Sequence, residues 1–508
     1  MSAASTYIPA PLKGLNLIAP PIYSPQLASQ GIGMQLDEAR VIQNYWVYES
    51  GIRQMPDVTE LASYSTSNAN VYILNPYTSS KMFYATKNKI YRIDSATDST
   101  PTDVTGAATI TTDTWNACFF NDYMFLFNGT DAPLQHDFGA GNVAAFSATG
   151  PTATDLLQGT GYKSRLYVIE ITDTVFWYGG VNAISGTFTS VDLAPVINRP
   201  QSNLLCVFNW TANQGAANEE LLVFLTNKGE VLVYSGDYPG AANWQLIARS
   251  FIPLAASSDL NVSGQPFYFI ANDTHLVTQR GVIPMSAILS SREITDGYYN
   301  ISRRIKNQIL AGANNVITVD KIRPFLYARS NTNQAQLYVM NYETGAWSVY
   351  APTLVANELI ISSGFFGEYL ILGTGNTGAT AGRLLYVDVA GGYGSANMTY
   401  KWSTPFLELG NGQIVQSTMI RPLTSNFGIS STVKNTVGVG ADFAEPATNA
   451  NDTKSDSVSA DTPTLQELIT PGIGRALSYV YSRVGVAAIN ERNEIHGFRA
   501  YFDIGGIH

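Results

Sequence analysis

An all-β chain, a β-propeller of about six blades with a smaller C-terminal antiparallel β-sandwich, is the fold class that this sequence predicts. Three observations carry the prediction. Charged residues make up only 13% of the 508 residues while hydrophobic ones make up 45%, a balance that suits sheets with Thr, Ser, Asn and Tyr on their outer faces. Gly (43) and Tyr (29) are abundant. Between about residues 70 and 395, paired strand-length runs recur across polar turns roughly every 40–60 residues. That spacing is closer to propeller blades than to the tighter rhythm of a sandwich.

Residues 1–70 are expected to be an entry segment that packs on the platform or closes the propeller. Their most specific stretch is "DEARVIQNYWVYESGIRQMPDVTEL" (37–61), in which a polar turn runs into Tyr45, Trp46 and Tyr48, then a Ser-Gly step, Arg53 and a Pro-Asp turn. The propeller is placed at 71–395. Its hairpins include "KMFYATKNKIYRID", "NDYMFLFNG", "SRLYVIEITDTVFWYGG", "ELLVFLTNKGEVLVYSGD" and "QLYVMNYETGAWSVYAP". In "VFLTNKGEVLVY" the reversal falls on Asn227-Lys228-Gly229, where glycine reaches the left-handed conformation that the turn needs. One segment departs from this texture. "YYNISRRIKNQILAGANN" sets Ile301, Ile305, Ile309 and Leu310 on one helical stripe with Gly312 as a stop, and predicts a covering helix of three turns. After residue 395 the texture changes to a small antiparallel sandwich, 396–508, interrupted at 438–463 by a polar stretch with almost no core-forming residues, read as a mobile loop.

Charge and composition exclude several function classes. A net charge of −10 and no Lys/Arg cluster argue against tight clamping of nucleic acid, although an acidic wall suits DNA that must slide past without sticking. Cys118 and Cys206 lie in strand-like runs and read as small core residues rather than a redox pair. No run approaches the roughly 20 apolar residues of a membrane helix. No basic start followed by an apolar run opens the chain, so synthesis in a cytoplasm without membrane anchoring is expected. Seven Asn-x-Ser/Thr sequons (Asn128, Asn209, Asn261, Asn272, Asn300, Asn397, Asn451) follow from the Asn, Ser and Thr content.

No catalytic set emerges. Gly373, Gly375 and Gly378 have the G-x-G-x-x-G spacing, but a strand follows them where a dinucleotide fold needs a helix. "NYETGAWSVY" (341–350) is a poor match to the Asp-box turn of sialidase propellers. Glu343 stands in place of Asp, Trp347 comes one position early, and the arginines are scattered apart from Arg303-Arg304. His136, His275, His496 and His508 show no ligand spacing. Asp37-Glu38 and Glu219-Glu220 point to different sides of the chain and read as solvated turns. Catalytic, cofactor-binding and metal residues are therefore expected to be none, and no cofactor is called for.

The segment 221–255, "LLVFLTNKGEVLVYSGDYPGAANWQLIARSFIPLA", resembles the tail nozzle, or tail tubular protein B-like, family of short-tailed bacteriophages. It has that family's Gly-Glu-Val strand, Tyr-x-Gly-x-x-Pro turn, Trp and closing strand near Pro. "WYGGVNAISGTFTSVDL" (177–193), "LVTQRGVIPMSAIL" (276–289) and "LYVMNYETGAWSVY" (337–350) resemble neighbouring blades, and Gly14-Leu15-Asn16 with Asn44, Trp46 and Arg53 the family's entry. Gln54-Met55-Pro56 follows Arg53 where the family tends to have a Gly turn. The likeness spans roughly residues 14–425 and is weak after about 430. It implies a non-enzymatic virion protein, a nozzle subunit forming a hexameric ring below the portal and adaptor. Its expected partners are copies of itself, adaptor or head–tail connector proteins, tail fibres or a spike, and genomic DNA passing through the lumen without specific binding. The alternative is a glycan-binding or glycan-cleaving propeller that recognises a host receptor.

Overall fold

The computed structural model describes residues 2–30, 33–63, 70–74, 81–95, 100–214, 217–254, 267–270, 273–279, 281–290, 300–305, 308, 317–320, 322–329, 333–367, 369–376, 382–387, 398–409, 413–427, 434–441, 453–457, 472–484 and 492–504. Among the described residues, seven antiparallel sheets follow one another along the chain. Blade 1 holds Tyr72–Ile73, Met82–Thr86, Lys89–Ile93 and Thr102–Asp103; blade 2 holds Asn116–Phe120, Tyr123–Phe127, Leu134–His136 and Ala144–Ala145. Blade 3 holds Leu156–Tyr162, Arg165–Glu170, Val175–Tyr178 and Thr189–Asp192; blade 4 holds Leu204–Gln214, Ala217–Thr226, Glu230–Ser235 and Gln245–Phe251. Blade 5 has Phe267–Ile270, Asp273–Thr278 and Gly281–Pro284, and blade 6 has Ile317–Val319, Phe325–Arg329, Leu337–Asn341 and Ala346–Tyr350. Blade 7 is built from Glu358–Phe366, Tyr369–Asn376 and Arg383–Val387, and its outermost strand is Val58–Ser63, borrowed from the N-terminal segment.

The sheets close into a ring because the inner strands of the blades, such as Met82–Thr86, Arg165–Glu170 and Glu230–Ser235, are buried on both faces. Side chains alternate across a strand, so a run such as "LLVFL" feeds two different interfaces. In blade 4, Leu222, Phe224 and Leu232 pack with Tyr167, Ile169 and Phe176 of blade 3. Their neighbours Leu221, Val223, Leu225, Val231 and Val233 pack with Leu276 and Ile283 of blade 5. The same arrangement joins blades 5 and 6 through Val277, Val282 and Leu326, and blades 6 and 7 through Tyr327, Val339, Ile360 and Leu372. Leu61, Ile371 and Leu384 of blade 7 meet Met82 and Tyr84 of blade 1 and complete the circle. Blades 1 and 2 meet at Phe83 and Met124, and blades 2 and 3 at Phe125 and Val168. This is a β-propeller. Among the described residues it has seven sheets, against an expectation of about six: blade 5 is described with three strands, and blade 7 takes a strand that precedes blade 1 in the chain.

The sandwich draws strands from both ends of the chain. One sheet runs Gly472–Gly474, Val415–Phe427, Arg492–Ile504, with Ser2–Pro9 and the hairpin of Tyr45–Tyr48 and Gly51–Gln54 along the far edge. The other sets Leu477–Val484 between Lys434–Ala441 and Thr399–Ser403, with Val41–Gln43 beyond. Trp402 of one sheet stacks on Phe498 of the other with ring centroids 4.3 Å apart. Gln43 then pairs with Val349, so the second sheet continues into the outer strand of blade 6.

Two expectations are corrected here. In the predicted three-turn helix the structure describes a single 3-10 turn, Arg303–Ile305. The Asn300 carboxamide accepts from the Ser302 N–H and hydroxyl, a local turn that competes with helical bonding. Ile305 is buried in the interface of blades 5 and 6, while Ile309, Leu310 and Gly312 lie outside the described residues. The polar stretch 438–463 is not all loop: Lys434–Ala441 pairs with Thr453–Ser457 and with Leu477–Val484. Backbone pairing onto an existing strand needs no apolar side chains. Residues 442–452 and 458–471 lie outside the described residues.

Candidate functional site

The chemistry of this chain converges on the segment 37–63, which ties its two parts together. Asn44 sits between Val41–Gln43 and Tyr45–Tyr48 in the left-handed region at φ 65, fully buried. Its N–H donates to Val349 O at 2.6 Å, its carboxamide NH2 to Ala351 O at 3.1 Å and Thr399 O at 2.7 Å, and its Oδ1 accepts from Ala351 N–H at 2.6 Å. One side chain therefore bonds blade 6 and the sandwich at once. Asn341 donates to Val47 O at 3.0 Å, Tyr350 to Pro56 O at 2.9 Å and Tyr400 to Met55 O at 2.8 Å. Asp57 Oδ1 accepts from Val58 N–H and Thr353 N–H, both at 2.9 Å, and burial pushes its carboxyl up from the usual range. The aromatic triplet is used in full. Tyr45 packs on Tyr400, Tyr48 meets Phe325 edge-on, and Trp46 donates to Tyr327 OH at 3.0 Å beneath the Arg323 guanidinium.

The buried carboxylates serve connecting turns. Glu38, expected to be a solvated turn residue, is only 4% exposed. It accepts from Gln35 N–H at 2.8 Å and Asn16 at 3.0 Å and faces Arg304 at 3.5 Å. That correction follows from geometry: a carboxylate at a strand start collects the backbone donors that a turn leaves unpaired. Glu230 does the same for Asn198 and Arg199 with Arg249 alongside at 3.2 Å, and Glu358 for Val355 and the Thr374 hydroxyl. Asp37 pairs with Lys13 at 3.1 Å. Glu219 is exposed and Glu220 half-buried on blade 4. The sequence signal for these buried acids was an acid placed where a strand begins, which is too common to single them out.

The histidines do not meet. His136 of blade 2 accepts from Phe138 N–H at 2.8 Å, contacts Gly141 O at 3.0 Å and packs against Phe83, and burial holds its imidazole below the usual range. His275 is buried in blade 5 with its basicity lowered for the same reason, His496 lies near Ser50 O at 3.2 Å, and His508 is outside the described residues. Cys118 and Cys206 are buried free thiols, the former pushed up to about 12 by burial. Gly373 and Gly375 lie in the hairpin of blade 7, and Gly378 is outside the described residues. A Cβ at Gly373 would stand 2.2 Å from Val71 O, so this glycine serves the approach of blade 1. The 341–350 turn is an Asn341-capped hairpin with Gly345 at φ 70 and Trp347 buried, its indole donating to Ile301 O at 2.9 Å. Asn128 bonds Asp131 from a buried position.

Among the described residues no His, Cys, Asp and Glu side chains gather in a metal-holding group, and no helix is long and apolar enough to cross a membrane. No protein-family profile and no curated protein matches the chain. Solved structures similar to it include the β-propeller domain of Cps50 (Swd1) from Myceliophthora thermophila, at 9% identity and TM-score 0.43, covering 65% of this chain and 99% of that one. Raptor from Chaetomium thermophilum is similar over 66% of this chain and 30% of its own, at 12% identity and TM-score 0.36. The propeller assignment rests on the chain's own closed ring of interfaces.

Proposed function

We propose that this chain is a structural subunit of a bacteriophage tail, a nozzle protomer. Copies of it form a six-fold ring below the portal and adaptor, enclose the channel through which the genome leaves, and carry other tail parts. The observation that supports the reading best is the 37–63 segment, which bonds propeller and sandwich into one block and takes part in both. A subunit that transmits load between neighbours gains from such stiffness. The buried acids and histidines are engaged in internal bonds, which favours a scaffold over a catalyst. The segments that resemble the nozzle family fall on blades 3 to 6. A net charge of −10 per copy discourages DNA from adhering to the wall.

Electron microscopy of the purified protein, alone and mixed with an adaptor complex, tests this directly. Six-fold rings are expected. A monomer at micromolar concentration that still forms no ring with the adaptor would overturn the reading. Saturable binding on a glycan array would favour the receptor-binding propeller instead.

A further inference from the structure

The turn 137–142 links Leu134–His136 to Ala144–Ala145 in blade 2 and closes over three basic side chains. Two come from blade 1. The Lys81 ammonium donates to Phe138 O and, at 2.9 Å, to Gly139 O, and Arg92 Nη1 donates to Gly139 O at 2.9 Å. The third is His136, whose side chain is fully buried. Its Nε2 meets Gly141 O at 3.0 Å, and its Nδ1 accepts from Phe138 N–H at 2.8 Å. A carbonyl only accepts, so the proton sits on Nε2 and the imidazole is neutral. Phe138 is left-handed at φ 59, and its ring packs on Phe83 of blade 1 and Phe119 of blade 2, with centroids 5.8 and 6.0 Å apart. The turn therefore clasps blade 1 to blade 2.

This arrangement has no place for a second proton. A proton on Nδ1 would face the Phe138 N–H, donor against donor, beside the Phe83 ring at 4.7 Å. The charges that act on the imidazole are Asp137, 3.9 Å from Nδ1, and the cations Arg92 and Lys81. Asp137 favours protonation, but it is 63% exposed and its Oδ1 already accepts from Gly139 N–H at 2.8 Å. The two cations oppose protonation, and Arg92 is itself shared with Asp94 at 3.2 Å. Burial above all holds the imidazole below its usual range. Past the turn, buried Val143 donates its N–H to Val104 O at 2.8 Å, so an opening can stop at residue 142.

We propose that the turn 137–142 is an acid-released clasp: a proton on His136 Nδ1 breaks its bond to Phe138 N–H, and the turn lifts off Lys81 and Arg92. Phe138 leaves with it and uncovers Phe83 and Phe119, an aromatic face at the joint of blades 1 and 2. The sign follows from linkage. In the open turn the imidazole takes its proton near pH 6.5, and in the closed turn only at lower pH. Closure is therefore complete at neutral pH and weakens as the pH falls below about 6.5. With one proton involved, the closed-to-open ratio falls up to about tenfold per pH unit until the closed turn also titrates. The inference is independent of ring assembly.

Hydrogen exchange of the whole protein, read by mass spectrometry between about pH 7.5 and pH 5 and corrected for the intrinsic pH dependence of amide exchange, provides the test. Opening in peptides that cover the turn is expected to rise about 10–30-fold over that range, while Asn116–Phe120 and Tyr123–Phe127 stay protected. His136→Asn keeps an acceptor for Phe138 N–H, as in an Asx turn, and does not titrate, so its turn should exchange independently of pH. Asp137→Asn keeps an acceptor for Gly139 N–H and removes the carboxylate beside Nδ1, so the rise should move to lower pH by about half a unit. Constant protection of the wild-type turn, or an equal rise in His136→Asn, would overturn the clasp. So would a rise shared by every blade, which is global unfolding. If His136→Asn does not fold, Asp137→Asn decides alone, and an unmoved rise in that variant counts against the inference.

Discussion

Asn44 combines two demands that few residues meet together. Its backbone is left-handed at φ 65, and its carboxamide serves Ala351 from both sides and Thr399 as well. Asn tolerates that conformation better than other residues with a Cβ. Glycine meets the backbone demand and not the hydrogen-bonding one, and alanine meets neither. Asn44→Gly should therefore cost about 2–3 kcal/mol from unpaired buried groups, and Asn44→Ala about 1 kcal/mol more from backbone strain. Urea denaturation should rank wild type above Asn44→Gly and that above Asn44→Ala. Equal midpoints for the two variants would mean that the φ of residue 44 carries no strain. The sequence marked this neighbourhood as specific because Tyr45, Trp46 and Tyr48 follow it, yet its role was hidden. A single buried Asn has no periodicity, and its partners at 349–351 and 399 are some 300 residues away.

At the scale of elements, legibility followed sequence separation. Hairpins such as Ala217–Thr226 with Glu230–Ser235 were readable because both strands and the turn lie in one short stretch. Gly229, at φ 80, would place a Cβ 2.0 Å from Ile252 O. Val58–Ser63 offered no such cue. "VTELAS" is an ordinary polar–apolar run, and its partner Arg383–Val387 sits at the other end of the propeller. The same remoteness concealed the seventh blade and the membership of Ser2–Pro9 in the sandwich. Closure by a distant strand also makes a prediction. Thr59 lies directly opposite Tyr386 in the antiparallel register, so Thr59→Cys with Tyr386→Cys should oxidise to a disulfide across the ladder. It would close a loop that contains most of the propeller, and oxidation should raise stability by up to about 6 kcal/mol in the chain-entropy account, less any strain in the bridge. The native thiols Cys118 and Cys206 are buried and do not compete. A free-thiol count that stays unchanged under oxidant, with no shift in the urea midpoint between oxidised and reduced protein, would show that the two strands are not adjacent in solution.

For the whole molecule, the arrangement of the cores matters more than the number of sheets. A propeller joined to a sandwich by a linker would have two cores and melt in two steps. Here one continuous cluster runs from Phe325, Tyr327 and Val339 of blade 6 and Ile360 and Leu385 of blade 7, through Ile42, Tyr45 and Ile52, to Trp402, Tyr479 and Phe498 of the sandwich. Blade 6 is also hydrogen-bonded to the second sandwich sheet through Gln43 and Val349. Removing the sandwich would strip one face of blade 6 and take Val41–Gln43 and Asn44 out of their bonds, so neither part retains a complete core without the other. The expected consequence is one cooperative transition in calorimetry, with calorimetric and van't Hoff enthalpies equal within error, despite a length at which separate domains are usual. Asn44→Ala weakens the junction at its most connected point and is the variant expected to lower that agreement first. Two resolved peaks in the wild-type protein would refute the shared core and, with it, the stiffness on which a role as a tail building block depends.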